Sequence, residues 1–409
     1  ITAVSDQSTL QNLADDWDQL VRDSRSFSPM LTHAWISSYI QRRIRPRQRW
    51  TCLCAHRGDR LVGVLPLVLT PARRFGIKFE IASYPHDDTT PHGDVIVHDD
   101  EDADLIRALV DKAFELFPKA QMLRIGGLTD DSNVHRALPD SRSYQLVTTG
   151  EGCFLPVPEV FDTFRGTLSK NFRSNLNKAR NHARRAGTVT FNIDNTSANR
   201  SAFLDQFMEI EAANWKGEEG SAIKASDDLQ KWYATLIPRL EESGFLEWQT
   251  LCIDDEFVAA NMCIRTPRKV FLWKLGYRDS YAKCSPGSLL LQHVIETEAG
   301  RGTLDSIELL TSYNWYSNWN MIARPHQSIT FFRRGPKARY LSLASRLRAW
   351  LTTRRGGKRE RVTRHGAHYS PGAPSRPCYS WGGIASISQF GCCDRLAREC
   401  LQAVAACPS

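Results

Sequence analysis

Apolar residues in the second half of the chain recur at spacings that mark out its elements one after another. Phe172, Leu176, Ala179 and Ala183 are separated by four, three and four residues, one face of a helix that Ser169 can cap and Gly187 can end. Val189, Phe191 and Ile193 then alternate with polar residues as a half-buried strand does. Phe203, Phe207 and Ile210 predict a helix over about 199–214. Leu229, Trp232, Tyr233, Leu236 and Leu240 predict another from Asp227-Asp228 to Gly244, kinked at Pro238. Three strand-like runs follow, Phe245 to Ile253, Phe257 to Ile264 and Val270 to Tyr277. The polar turns between them, Asp254-Asp255-Glu256 and Thr266-Pro267-Arg268, predict an antiparallel meander. Leu289, Leu290, His293 and Val294 lie on a helix that stops at Gly300. A strand through Ile307 to Leu310, a short aromatic helix at Trp315 to Trp319 and a strand over Ser328 to Phe332 complete the series.

The first half repeats this pattern less cleanly. Helices are expected over Leu10 to Val21 and Leu31 to Tyr39, then a hairpin of Trp50 to Ala55 and Leu61 to Leu69 about Gly58-Asp59. Strand-like Asp94 to Val97, a helix near Asp102 to Phe117 and a strand at Met122 to Ile125 follow. The hairpin around Leu53 to Val64 reads like the one around Leu251 to Ala260, one unit used twice.

The segment Ser285-Pro286-Gly287-Ser288-Leu289 joins the third meander strand to a helix. Proline in the first helical turn and glycine beside it leave backbone N–H groups approachable at the positive end of a helix dipole, which suits a phosphate. Taken in order, the second half is strand, two helices, three meander strands, phosphate-ready loop, helix, strand, helix, strand. That order resembles the Gcn5-related N-acetyltransferase (GNAT) fold. At residue level, Leu168-Ser169-Lys170-Asn171-Phe172-Arg173, Asn214-Trp215-Lys216-Gly217, Gly276-Tyr277-Arg278-Asp279 and Ser285-Pro286-Gly287-Ser288-Leu289-Leu290 resemble the acetyltransferase domain of cellulose-biosynthesis-type proteins, relatives of the Fem-type aminoacyltransferases. The resemblance covers residues 150–335 and implies an α/β fold of tandem GNAT-like domains, mixed sheets flanked by helices. Residues 1–150 would form a degenerate domain that shapes the acceptor groove, and 151–335 the acetyltransferase domain.

The resemblance implies acyl transfer, with acetyl-coenzyme A as co-substrate and no metal, to an amine or hydroxyl of a small-molecule, saccharide or peptide acceptor in polysaccharide or cell-envelope biosynthesis. Ser285, Pro286, Gly287, Ser288 and Leu289 would hold the pyrophosphate, and strand residues Leu275, Gly276 and Tyr277 the pantetheine. Glu211 is a candidate general base and Tyr316 a candidate acid for the leaving thiolate. Trp215, Lys216, Lys170 and Arg173 are candidates for binding the acceptor. Two other readings stay open: a Fem-like transferase that uses aminoacyl-tRNA, and a non-catalytic binding module. Ser317 stands where relatives carry a lysine after a tyrosine, which bears on the last.

Charge changes the picture of the C-terminus. The formal net charge is +8, yet 15 basic and 3 acidic residues lie from Arg333 onward, so the remainder is mildly acidic. The region 336–409 is expected to be a disordered basic tail, in which Cys378, Cys392, Cys393, Cys400 and Cys407 fit no zinc spacing. No apolar run approaches the roughly 18–20 residues that span a bilayer, and the first residues lack a signal peptide's charged-then-apolar pattern, so a cytoplasmic protein without specific nucleic-acid binding is expected. The basic helix positions Lys170, Arg173, Lys178, Arg180, Arg184 and Arg185 suit a polyanion or a solvated face equally. His86, Asp87, Asp88, His92, Asp94 and His98 read as a polar loop bordering a substrate groove rather than a metal site, and Cys284 as an unreactive thiol.

Overall fold

In the computed structural model, residues 1–344 are described except 25, 75, 139–142, 195–199, 213–221 and 312–313. The expected elements are present, with boundaries set by capping chemistry. In chain order the first half comprises β1 (Thr2–Val4), α1 (Gln7–Asn12), α2 (Ala14–Arg22), α3 (His33–Arg42), β2 (Arg49–Arg57), β3 (Arg60–Arg74), β4 (Ile77–Ser83), β5 (Ile96–Val97), α4 (Ala103–Leu116), β6 (Ala120–Leu128), α5 (Asn133–Arg136) and β7 (Tyr144–Pro156). The second half comprises α6 (Phe161–Thr167), α7 (Lys170–Ala186), β8 (Val189–Asp194), α8 (Arg200–Ala212), α9 (Asp227–Glu242), β9 (Leu246–Ile253), β10 (Glu256–Arg265), β11 (Lys269–Tyr277), α10 (Pro286–Arg301), β12 (Ser306–Leu309) and β13 (Ile322–Phe332). The Ser169 hydroxyl accepts from the Phe172 N–H at 3.2 Å and Gly187 closes α7, as the sequence predicts. The helix expected over Leu10 to Val21 is instead two, because the chain breaks at Leu13.

One sheet runs through the described residues in the order β1-β2-β3-β4-β6-β13-β7-β12-β11-β10-β9-β8. Each half contributes four strands in antiparallel succession followed by a parallel pair, β4 with β6 and β11 with β12. This repeat is a tandem of GNAT-like halves. The middle of the sheet is exchanged. Strand β7 lies on β12 of the second half, β13 lies on β6 of the first, and the two pair with each other from Ile322–Phe154 to Phe331–Tyr144. Residue 150, where the sequence placed a domain boundary, falls inside β7.

The exchange merges the cores. Trp35 of α3 packs on Trp273 of β11 at 4.6 Å and on Trp232 of α9 at 6.0 Å, so one apolar cluster spans both halves. On the other sheet face, Leu176, Ala179 and Ala183 of α7 join Leu290, Val294 and Ile295 of α10 over β9 to β12. The expected tail begins later than 336, because residues 336–344 are helical and bury Ala338 and Leu341 against Phe79, Met122 and Phe332. The rest of the expected tail, with its five cysteines, lies outside the described residues. Among the described residues no helix is long and apolar enough to cross a membrane.

Candidate active site

The two parallel strand pairs, equivalent by topology, differ in where their ladders end. The β11–β12 ladder runs from Lys269–Ser306 to Leu272–Leu309 and stops, whereas β11 continues to Tyr277. At this point β11 carries a bulge. Met262 of β10 faces Lys274 and Cys263 faces Leu272, which leaves Trp273 as the extra residue. Because β12 ends at Leu309, no described strand pairs with β11 on that edge beyond Leu272. In the first half, by contrast, β4 pairs with β6 to its last residue, Ser83 with Arg124. The chain between β4 and β5 fills the space beyond. There a Cβ on Gly93 would collide with the Tyr84 ring, and one on Gly127 (φ +69°) with the Pro91 backbone.

The helices that link the strands of each pair differ in the same sense. The α4 N-terminus is closed by its own carboxylate, since Asp102 accepts from the Asp104 and Leu105 N–H groups at 2.9 and 3.3 Å. The α10 N-terminus has no side-chain cap and no acidic residue in its first turn. Its N-cap, Ser285, adopts a left-handed conformation (φ 44°, ψ 55°) that turns the chain sharply into Pro286. A Cβ on Gly287 would make only ordinary contact with Leu275 at 3.4 Å, so internal packing does not require glycine there. The bare start of α10 is therefore open to an anionic group. The donor set is smaller than the sequence predicts: Pro286 has no N–H, and those of Ser288 and Leu289 already donate to the Ser285 carbonyl at 2.9 and 3.1 Å. Gly287 is the position of this turn left to offer an amide outward.

Other expected residues take different places. Gly276 faces α8, where an added Cβ would stand 3.1 Å from Ile210 Cγ1, so its small size serves helix packing. Leu275 lies against α10 and Tyr277 against the apolar cluster of that face. Glu211 is fully buried, and its carboxylate accepts from Lys274 Nζ at 2.9 Å and the Ile223 N–H at 3.0 Å. This corrects its reading as a general base: both oxygens already hold donors. Burial opposes the Lys274 charge, but Tyr233 and Glu211 outweigh it and raise its pKa, while burial pushes the Tyr233 hydroxyl up to about 12. Tyr316 is buried in the apolar cluster under α7 and α10, its ring 3.9 Å from that of Trp315. Ser317 is exposed in the short 3-10 turn Asn314–Trp319. Lys170 is exposed and Arg173 half-buried in the first turns of α7. Trp215 and Lys216 lie outside the described residues. Burial pushes the Cys284 thiol up, as expected for an unreactive cysteine.

A polar pocket lies at the end of β12, which sequence reasoning reached only in part. Phe271, Leu309 and Leu310 form its wall on the second half, and His92, Asp94 and Gly127 its wall on the first. Of the expected polar loop, His92 and Asp94 line it, and His86, Asp87, Asp88 and His98 are not among the lining residues. Arg324 and His326 of β13 complete it; no local pattern marks these two, because β13 reaches the pocket only through the strand exchange.

Residues 170–318 match the family described as acetyltransferase (GNAT) domain. No curated protein matches the chain significantly. Among solved structures, FemX superposes with a TM-score of 0.55 at 10% identity, over 84% of this chain and 100% of FemX. A conserved protein of unknown function from Bacteroides thetaiotaomicron VPI-5482 gives 0.51 at 11% identity, over 81% of this chain and 100% of that one. A tandem GNAT protein from the clavulanic acid biosynthesis pathway gives 0.43 at 11% identity, over 82% and 99%. At such identities the first two likenesses concern the fold.

Proposed function

We propose, on the match of residues 170–318 to the acetyltransferase (GNAT) domain family, that the protein moves an acyl group, acetyl in the simplest case, from acyl-coenzyme A to an amine or hydroxyl of an acceptor held between its halves. The observation that carries this reading is the asymmetry of the two halves. In the second half β11 runs on past the end of β12 beside an uncapped helix N-terminus, whereas in the first the corresponding space is filled and the helix is capped by Asp102. A pyrophosphate at the α10 start gains the helix dipole and the Gly287 amide. The pantetheine then runs along β11 past Tyr277 and Leu275, and its thioester arrives near the bulge at Trp273. Coenzyme A supplies the activated acyl group. The protein's share is to align that group with the acceptor and to exclude water.

The acceptor belongs to the saccharide or peptide class in this proposal, with Trp215 and Lys216 among its contacts and polysaccharide or cell-envelope assembly as setting. Work in the cytoplasm, where acyl-coenzyme A is available, completes it. A second reading is favoured by one observation, the row Lys170, Arg173, Lys178, Arg180, Arg184 and Arg185 on α7, which packs beside the approach to α10. Such a row suits aminoacyl-tRNA as donor, as in Fem-like transferases. Calorimetric titration with acetyl-coenzyme A and with aminoacyl-tRNA separates the readings. Micromolar acetyl-coenzyme A binding, lost in Gly287→Glu, is the expected result. Binding of tRNA alone favours the second reading, and binding of neither leaves a non-catalytic module.

A further inference from the structure

The pocket at the end of β12 contains a pair of histidines that nothing above employs. His92 comes from the first half and His326 from β13, and their rings meet edge to face at 4.3 Å. His92 is only 4% exposed, and its Nε2 has no hydrogen-bond partner among the described residues. Two ion pairs and one hydrogen-bonded carboxylate surround the histidines. Arg324 donates to Glu308 at 3.0 Å and lies over the Phe154 ring at 4.0 Å, while Lys269 holds Asp131 at 2.8 Å. Asp94 accepts from Ser26 Oγ and from the Asn133 and Val134 amides. The unpaired His92 Nε2 thus lies beside two ion pairs and a carboxylate, Asp94, held by neutral donors.

The site is also the right size and in the right place. Its cavity of about 20 Å³ admits one water-sized group, such as the amine or hydroxyl of an acceptor. Leu309 and Leu310 line it at the end of β12, where a thioester following β11 would stop. A Cβ on Gly152 would lie 2.8 Å from His326 Nε2 and 2.7 Å from the Leu309 carbonyl, so the glycine preserves the approach to that nitrogen.

We infer that His326, backed by His92, is the base that takes the proton from the acceptor in acyl transfer, with the acceptor's nucleophile seated in this pocket. The inference rests on the acyltransferase reading above. As the acceptor's nitrogen or oxygen bonds to the thioester carbonyl carbon, the C–S bond breaks. The proton passes to His326 Nε2, and the departing thiolate then takes it up, leaving the imidazole neutral. Burial, with the Arg324 charge beside it, holds the His326 pKa down at about 4. Burial also holds His92 well below the usual histidine range, with His326, His86 and Arg324 acting in the same direction and Asp131 against it. Both rings are therefore neutral at physiological pH and able to accept a proton.

Two measurements on the full chain test this. The first is imidazole ¹⁵N NMR during titration with acetyl-coenzyme A, with His326 assigned by its absence in His326→Gln. The expected result is a resonance that titrates below pH 5 and shifts as the ligand binds. The second is slow coenzyme A release from acetyl-coenzyme A with water as the probe nucleophile. His326→Ala and His326→Gln should bind acetyl-coenzyme A as wild type does, yet hydrolyse it about 100-fold more slowly, and imidazole in solution should restore the rate of His326→Ala. An unmoved His326 resonance with acetyl-coenzyme A bound, or hydrolysis within threefold of wild type in both variants, overturns the assignment and leaves acyl transfer standing. No acetyl-coenzyme A binding by the folded wild type overturns the acyltransferase reading itself.

Discussion

Glu211 and Gly276 show how a residue singled out as a candidate for function can instead serve the fold. Glu211 neutralises a buried lysine, so Glu211→Gln leaves Lys274 charged without its partner. It should lower stability by about 3 kcal/mol, as read from the denaturation midpoint, while acetyl-coenzyme A binding to the folded fraction stays unchanged. At Gly276 even one methyl group presses on Ile210 at 3.1 Å. Gly276→Ala should cost about 1–2 kcal/mol through overpacking between β11 and α8. The buried ionisable groups set the pH response. Burial lowers the pKa of His86, His92 and His326, the last to about 4, so their neutral forms stabilise the fold above pH 6.5 and that stability is lost as pH falls towards 4. Burial raises Asp18 and Asp94 to about 6, so those two favour the fold below their unfolded value of 3.8 and oppose it as pH rises through 6. Burial lowers His33, His135 and His293 as well and raises one further carboxyl, Glu247, so the histidines outweigh the carboxyls. Melting temperature should therefore rise from pH 4 to 6.5, more steeply in Asp94→Asn and less steeply in His326→Gln.

At the scale of elements, the local rules worked where the chain itself holds the whole cause. Ser169 and Gly187 fix the two ends of α7, and alternation fixes β8, so both were readable before any packing was known. The Asp254-Asp255 turn also obeys its sequence, with both residues at positive φ (47° and 65°) as a tight hairpin requires. Ser285 departs from that economy. A non-glycine residue in the left-handed region costs about 1 kcal/mol, spent on turning the chain into α10. Ser285→Gly should relieve it and stabilise the protein by about 0.5 kcal/mol after the added backbone entropy. Acetyl-coenzyme A binding should weaken if the strained turn holds the phosphate site in place, which parallel melting and calorimetric titrations would show. The expected donors at Ser288 and Leu289 failed for a related reason, since that turn directs both amides onto the Ser285 carbonyl.

For the whole molecule, the exchanged strands matter most. Because β7 lies on β12 and β13 on β6, neither half can complete its sheet alone. Deleting residues from Ile322 onward should therefore unfold the first half as well, although the cut lies in the second. In the intact chain, urea unfolding should give one transition, with Trp17 fluorescence in the first half and Trp319 fluorescence in the second reporting the same midpoint in single-tryptophan variants. The histidine pocket depends on the same exchange, because His326 reaches His92 only on a strand shared by both halves. By itself the sequence determined the helices, the meander and the open loop before α10, since periodicity, caps and turn residues act within a few positions of the chain. Only the tertiary structure decided which helix start stays uncapped beside an unpaired strand edge, that Glu211 is sealed beneath Lys274, and that His92 and His326 meet. Those outcomes depend on strand pairing and burial between segments far apart in sequence, which no local pattern encodes.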